Sequence, residues 1–120
     1  MTVQECYKTV GGDYKEIMSR LMSEDLVKRF LEMFLEDPSY LELLEEMGKN
    51  DYEEAFRASH TLKGVCQNLA LTELFQISYQ ITEALRGGNG QEAEKLLPDI
   101  KKSYDKTVAA IHALLDGTDR

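Results

Sequence analysis

Several shortages narrow what this 120-residue chain can be: it has no tryptophan, two prolines and two cysteines. No apolar run approaches the ~20 residues needed to cross a bilayer as a helix. With so little proline, and with no stretch alternating apolar and polar residues, nothing reads as a half-buried strand. Cys6 and Cys66 lie far apart and form no C-x-x-C pair, which argues against both a zinc site and a disulfide framework and predicts two free thiols. Cationic residues are also scarce relative to acids, leaving a formal charge of −8. That balance speaks against nucleic acid and against an anionic membrane surface, because both kinds of binding draw on cationic groups that neutralise phosphates. The start, Met1-Thr2-Val3-Gln4-Glu5, lacks the basic and apolar parts of a signal peptide, so a cytoplasmic location is expected.

The residues that are present favour helix. The chain is 42% apolar and 30% charged, a balance that suits amphipathic helices with charged outer faces around one core. Gly11-Gly12 separates a short N-terminal helix from the rest of the chain, and Asp13 is placed to cap a turn containing Tyr14, Ile17 and Met18. Ser23, with Glu24 and Asp25 after it, caps a helix whose Leu26, Phe30, Met33 and Phe34 recur at helical spacing. Asp37-Pro38 is either a fresh helix start or a kink in one long helix that ends at Gly48. Asn50 or Asp51 opens a helix reaching about Leu69, Thr72 opens another closed by Gly87-Gly88, and a last one runs from Gly90 through Leu115 with a bend expected at Pro98. These patterns predict an all-α chain: an antiparallel four-helix bundle over residues 23–116, a helical extension over 1–22 with its short extra helix, and a tail over 117–120.

The helix between Asp51 and Leu69 has an unusual outer face. With ~100° per residue, Ala55, Ala58, Leu62, Val65 and Leu69 cluster on one side and His60 points the opposite way. Phe56, Lys63, Gly64 and Gln67 share its face, with Glu53 and Arg57 at the edges. A glycine inside an exposed helix costs about 1 kcal/mol relative to alanine, so Gly64 needs a reason. Either it clears the way for another protein to approach His60, or a neighbouring helix packs against it. An exposed histidine is largely uncharged near neutral pH and keeps a ring nitrogen with a free lone pair, which can act as a nucleophile. Lys63 supplies a cation suited to an anion carried there, such as a phosphoryl group.

His60-Thr61-Leu62-Lys63-Gly64, with Ala55 and Arg57 before it and Leu69 and Leu74 after it, resembles the histidine-containing phosphotransfer (HPt) domain of multistep two-component signalling, over roughly residues 23–115. The resemblance implies that His60 accepts a phosphoryl group from the aspartyl phosphate of one receiver domain and passes it to another. It assigns phosphoryl stabilisation to Lys63 and partner clearance to Gly64, and it makes Phe56, Arg57 and Gln67 candidates for partner docking. Its implied partners are response-regulator receiver domains and a hybrid sensor histidine kinase, with the chain acting as a monomeric carrier that has no kinase activity, metal or cofactor of its own. Two positions depart from the family's habit: Ala70 stands where a glycine is common, and Thr82 where a Glu or Gln on the next helix is common. Thr82 keeps a hydroxyl that could orient the imidazole.

Two other readings compete. A di-metal carboxylate enzyme would need Glu-x-x-His pairs on inner faces, but Arg57 stands three residues before His60 and Ala109 three before His112. A helical interaction module with an inert histidine remains the alternative, and His112 reads as structural or merely exposed.

Overall fold

A computed structural model describes residues 1–117 as seven helices: α1 Val3–Thr9, α2 Tyr14–Leu21, α3 Glu24–Leu35, α4 Ser39–Gly48, α5 Tyr52–Asn68, α6 Thr72–Arg86 and α7 Gly90–Leu115. The tail expected over 117–120 lies, after Gly117, outside the described residues. Local chemistry starts most of these helices, since the side chains of Thr2, Asp13, Ser23, Asp51 and Asn89 each accept from a first-turn backbone N–H. The stretch after Asp13 is a full helix rather than a turn, so two helices precede Ser23 instead of one. Asp37-Pro38 is a break: α3 stops at Leu35, and the Asp37 carboxylate accepts from the Ser39 N–H at 2.9 Å and from the Ser39 hydroxyl. α7 continues unbroken through Pro98.

Consecutive helices pair around a single core: α4 on α5, α5 on α6 and α6 on α7, with α3 and α1 laid against α7. The short loops and alternating direction are those of an up-down bundle. On the α3/α4 side the core is partly aromatic, since Tyr104 of α7 stacks on Tyr40 at 3.6 Å and tilts against Phe34 at 5.8 Å. The rotation of α3 nevertheless differs from the one its apolar series suggests. Val27, Leu31 and Phe34 are buried, while Phe30 and Met33 face outward, so of the expected Leu26, Phe30, Met33 and Phe34 series only Phe34 lies in the core and Leu26 is half-buried. Both series have helical period, and only the partner helix chooses between them.

Helices α1 and α2 are built into the core, with Val3, Cys6, Tyr7, Val10 and Ile17 essentially inaccessible. Their segment also satisfies the backbone of the α5–α6 turn. The Tyr7 hydroxyl donates to the Leu69 carbonyl at 2.7 Å, and the Asp13 N–H donates to the Ala70 carbonyl at 2.9 Å. The Arg20 guanidinium donates to the Gln67 and Asn68 carbonyls at the end of α5. The Gly11 carbonyl accepts from the Glu73 N–H in the first turn of α6, a helix with no side-chain cap of its own. Helix termini leave backbone groups without intrahelical partners, and here a distant segment supplies them. Both thiols are free and buried, and desolvation pushes Cys66 up to about 12 and Cys6 to about 11, which keeps them protonated and unreactive.

If the N-terminal segment holds this turn, Tyr7→Phe should destabilise the fold by about 1–3 kcal/mol, because it strands the Leu69 carbonyl without changing packing volume. Denaturant melts of the two proteins check this. An unchanged midpoint would make the hydrogen bond incidental.

Candidate functional site

Seventeen residues of α5 divide cleanly between core and water. Ala55, Ala58, Ser59, Leu62 and Cys66 are buried, Val65 is partly covered, and His60 is exposed on the other side. All of the buried residues except Leu62 are small, which lets α4 and α6 approach closely and holds α5 in one rotation. The imidazole is thereby presented at the surface by the packing of the residues beneath it.

Around His60 the sequence-predicted residues fall into two groups. Phe56 lies one turn earlier with its ring centroid 5.9 Å from the imidazole, inclined by 46°. Lys63 is half-buried and makes no ion pair among the described residues; its Nζ lies 5.8 Å from the centre of the Tyr79 ring on α6. A β-carbon added at Gly64 would meet nothing within 4 Å. The packing explanation for this glycine therefore fails, and the space next to His60 is open. Gln67 is exposed one turn further on. Arg57 stands apart from this group. It is exposed, pairs with Glu53 at 3.3 Å and Glu54 at 3.2 Å on its own helix, and lines a shallow recess toward α4 with Glu42 and Glu46.

Thr82 does not reach the imidazole. It is fully buried, and its hydroxyl lies 2.7 Å from the Ser78 carbonyl and 3.0 Å from Ser59 Oγ, so its single proton already has two acceptors. The orienting contact left open for Thr82 is absent, because a side chain this short on the buried stripe of α6 ends inside the α5–α6 interface. Among the described residues His60 has no hydrogen-bond partner at all.

Two residues of α6 join this face that the pattern of α5 alone does not predict. Tyr79, 48% exposed, receives Lys63, and the Arg86 guanidinium carbon sits 5.0 Å from the centre of the Phe56 ring. Their signal is the wheel of α6 itself: the buried series Leu74, Ser78, Ile81, Thr82 and Leu85 leaves Phe75, Tyr79 and Arg86 to one side of it. His112, the other histidine, is exposed in the last turn of α7. No group of three or more His, Cys, Asp or Glu among the described residues is placed to hold a metal ion, and no helix of these residues is long and apolar enough to cross a membrane.

Residues 25–117 match the family model of the Hpt domain, which spans most of the chain and contains α4, α5, α6 and α7 and all of α3 but its first residue. The chain belongs to the Hpt family. It is therefore a histidine phosphotransfer module of the kind that works in phosphorelays with receiver and kinase partners. No curated protein and no solved structure matches it. Helices α1 and α2 precede the matched Hpt region, although they pack into the same core. At Ala70, where the resemblance leads one to expect glycine, the backbone has φ +54°. This left-handed conformation is the one glycine adopts without penalty, which gives that preference a physical reason.

The open space at Gly64 leads to a prediction for this Hpt domain. Gly64→Gln should hold or raise thermal stability, by up to about 1 kcal/mol, because a better helix former replaces a helical glycine whose Cβ position is open. Receiver-dependent phosphotransfer should nevertheless collapse, since the new side chain projects beside His60. Melting temperature and transfer measured on the same variant decide it: normal transfer would remove any clearance role from Gly64.

Proposed function

We propose that His60 is the phosphoryl acceptor, taking the group from a receiver-domain aspartyl phosphate and relaying it to the aspartate of a second receiver. The observation that carries this reading is the exposed imidazole one turn from a glycine with open space above it and from a lysine with no ion pair. In the forward step the lone pair of the ring nitrogen attacks phosphorus, the bond from phosphorus to the aspartate oxygen breaks, and the carboxylate leaves with that electron pair. The imidazole keeps its other N–H. Passage to the next receiver reverses these events, with the second carboxylate as nucleophile.

Phosphoryl transfer depends on positioning and on charge stabilisation more than on covalent chemistry by the carrier. Lys63 supports this role because its ammonium can turn from the Tyr79 ring to the phosphoryl oxygens on the same face. Any divalent cation is then a matter for the receiver, whose acidic residues surround its aspartate, and the chain acts as a monomeric carrier without kinase activity. Phe56 and Gln67, on either side of His60, and Arg57 at the α4 edge are the candidate contacts for the receiver. Relay between such partners places the protein in the cytoplasm.

His60→Gln should abolish uptake of acid-labile label from a phosphorylated receiver while helical content and cooperative melting stay unchanged, because the side chain is outside the core. Label that persists, or that depends on His112, would overturn the assignment. Lys63→Ala should slow transfer or shorten the lifetime of the phosphohistidine by roughly tenfold, the equivalent of about 1.4 kcal/mol, with the fold intact. Label decay tracked over time checks this, and an unchanged rate would leave Lys63 a surface lysine.

A further inference from the structure

A nucleophilic imidazole must point its lone pair along the line of the breaking bond, and a misdirected ring loses much of the advantage of a bound encounter. An exposed histidine side chain has two free torsions, so something must select among its orientations. His60 has no hydrogen bond to do this among the described residues, and Thr82, the nearest candidate by sequence, is committed to Ser78 and Ser59. Its one ring contact among the described residues is Phe56, at 5.9 Å and inclined by 46°, within the range where aromatic pairs attract.

Phe56 is itself restrained. It is half-buried, it shares a recess with Tyr52 and Leu85, and the Arg86 guanidinium carbon lies 5.0 Å from its ring centre. A guanidinium at that distance from a phenyl face is attracted by the ring quadrupole. Arg86 in turn is anchored by Glu83, with Nε 3.0 Å from Oε2. A chain of contacts thus runs from Glu83 and Arg86 on α6, through Phe56, to the imidazole on α5.

We propose that Phe56, clamped by Arg86, is the positioning residue for His60, performing by ring contact the orienting task for which no hydrogen bond is present. This rests on His60 being the phosphoryl acceptor and adds a role to Phe56 that is distinct from partner docking. A docking residue affects how tightly the receiver binds, whereas a positioning residue affects the rate once the donor is in place, including a donor too small to touch Phe56. Arg86 acts through Phe56 and has no effect of its own without it.

The test uses the full chain with Phe56→Leu, Phe56→Tyr, Arg86→Gln and the Phe56→Leu/Arg86→Gln double variant. Phosphoramidate serves as the small donor and a phosphorylated receiver as the large one, and the His60 ring protons are monitored by NMR. Phe56→Leu should lower the maximal rate with both donors by about tenfold, whatever it does to KM for the receiver, and remove the ring-current displacement of the His60 signals. Phe56→Tyr should restore rate and shift. Arg86→Gln should produce a smaller loss in the same direction that disappears in the Phe56→Leu background. Normal phosphoramidate kinetics with a raised KM for the receiver would make Phe56 a docking residue alone and overturn the proposal, as would unchanged ring signals in Phe56→Leu. Absence of label on His60 in the unaltered protein would instead sink the phosphoryl-acceptor reading, while the NMR comparison would still decide whether Phe56 orients the ring.

Discussion

Every feature of the candidate site depends on α5 keeping one face in the core and the other in water. Ala55, Ala58, Ser59, Leu62 and Cys66 lock that rotation, and all but Leu62 are small enough for neighbouring helices to come close. A turn of about 100° in either direction, one residue's worth of helix, would bury an imidazole among apolar groups or expose Leu62. The same packing that stabilises the bundle therefore presents His60, and the outer face is free to carry residues that a core could not tolerate: a glycine in mid-helix and, among the described residues, a lysine without an ion pair and an imidazole without a hydrogen bond.

The α5–α6 turn transmits this constraint. The two helices that frame the site meet at residues 69–71, where Ala70 takes a left-handed conformation. Backbone groups of this corner are satisfied from far away in the chain, by Tyr7, Gly11, Asp13 and Arg20. Helices α1 and α2 thus do for the corner what capping side chains do elsewhere. They fix the relation of α5 to α6, and so the meeting of Phe56 with Arg86 and of Lys63 with Tyr79.

Electrostatically the face is an exception in a chain of net charge −8. Lys63 lies one turn from His60 and Arg86 lies over its neighbour Phe56, each cation against an aromatic ring, and of the two only Arg86 has a carboxylate partner among the described residues. Excess acid elsewhere limits non-specific attraction to polyanions, while the local cations favour an anionic group at this one place. A carrier that must accept and then surrender a phosphoryl group benefits from a cation held loosely by a π face rather than committed to a salt bridge, because the former is released without stranding a buried charge.

The outward direction of His60, its neighbours Lys63 and Gly64, and most helix starts were all legible in the sequence. Each depends on local quantities: the 3.6-residue period, the capping side chain, and the cost of glycine in a helix. The tertiary structure alone decided which of two equally periodic stripes α3 buries, taking Val27 and Leu31 into the core and leaving Phe30 and Met33 outside. It alone made Asp37-Pro38 a break, withdrew Thr82 into the α5–α6 interface, and brought Tyr79 and Arg86 to the site. It also left the space above Gly64 unfilled by any neighbouring helix. Such outcomes turn on the rotation and spacing of one helix against another, which arise from contacts between residues far apart in the chain, and no local periodicity encodes them.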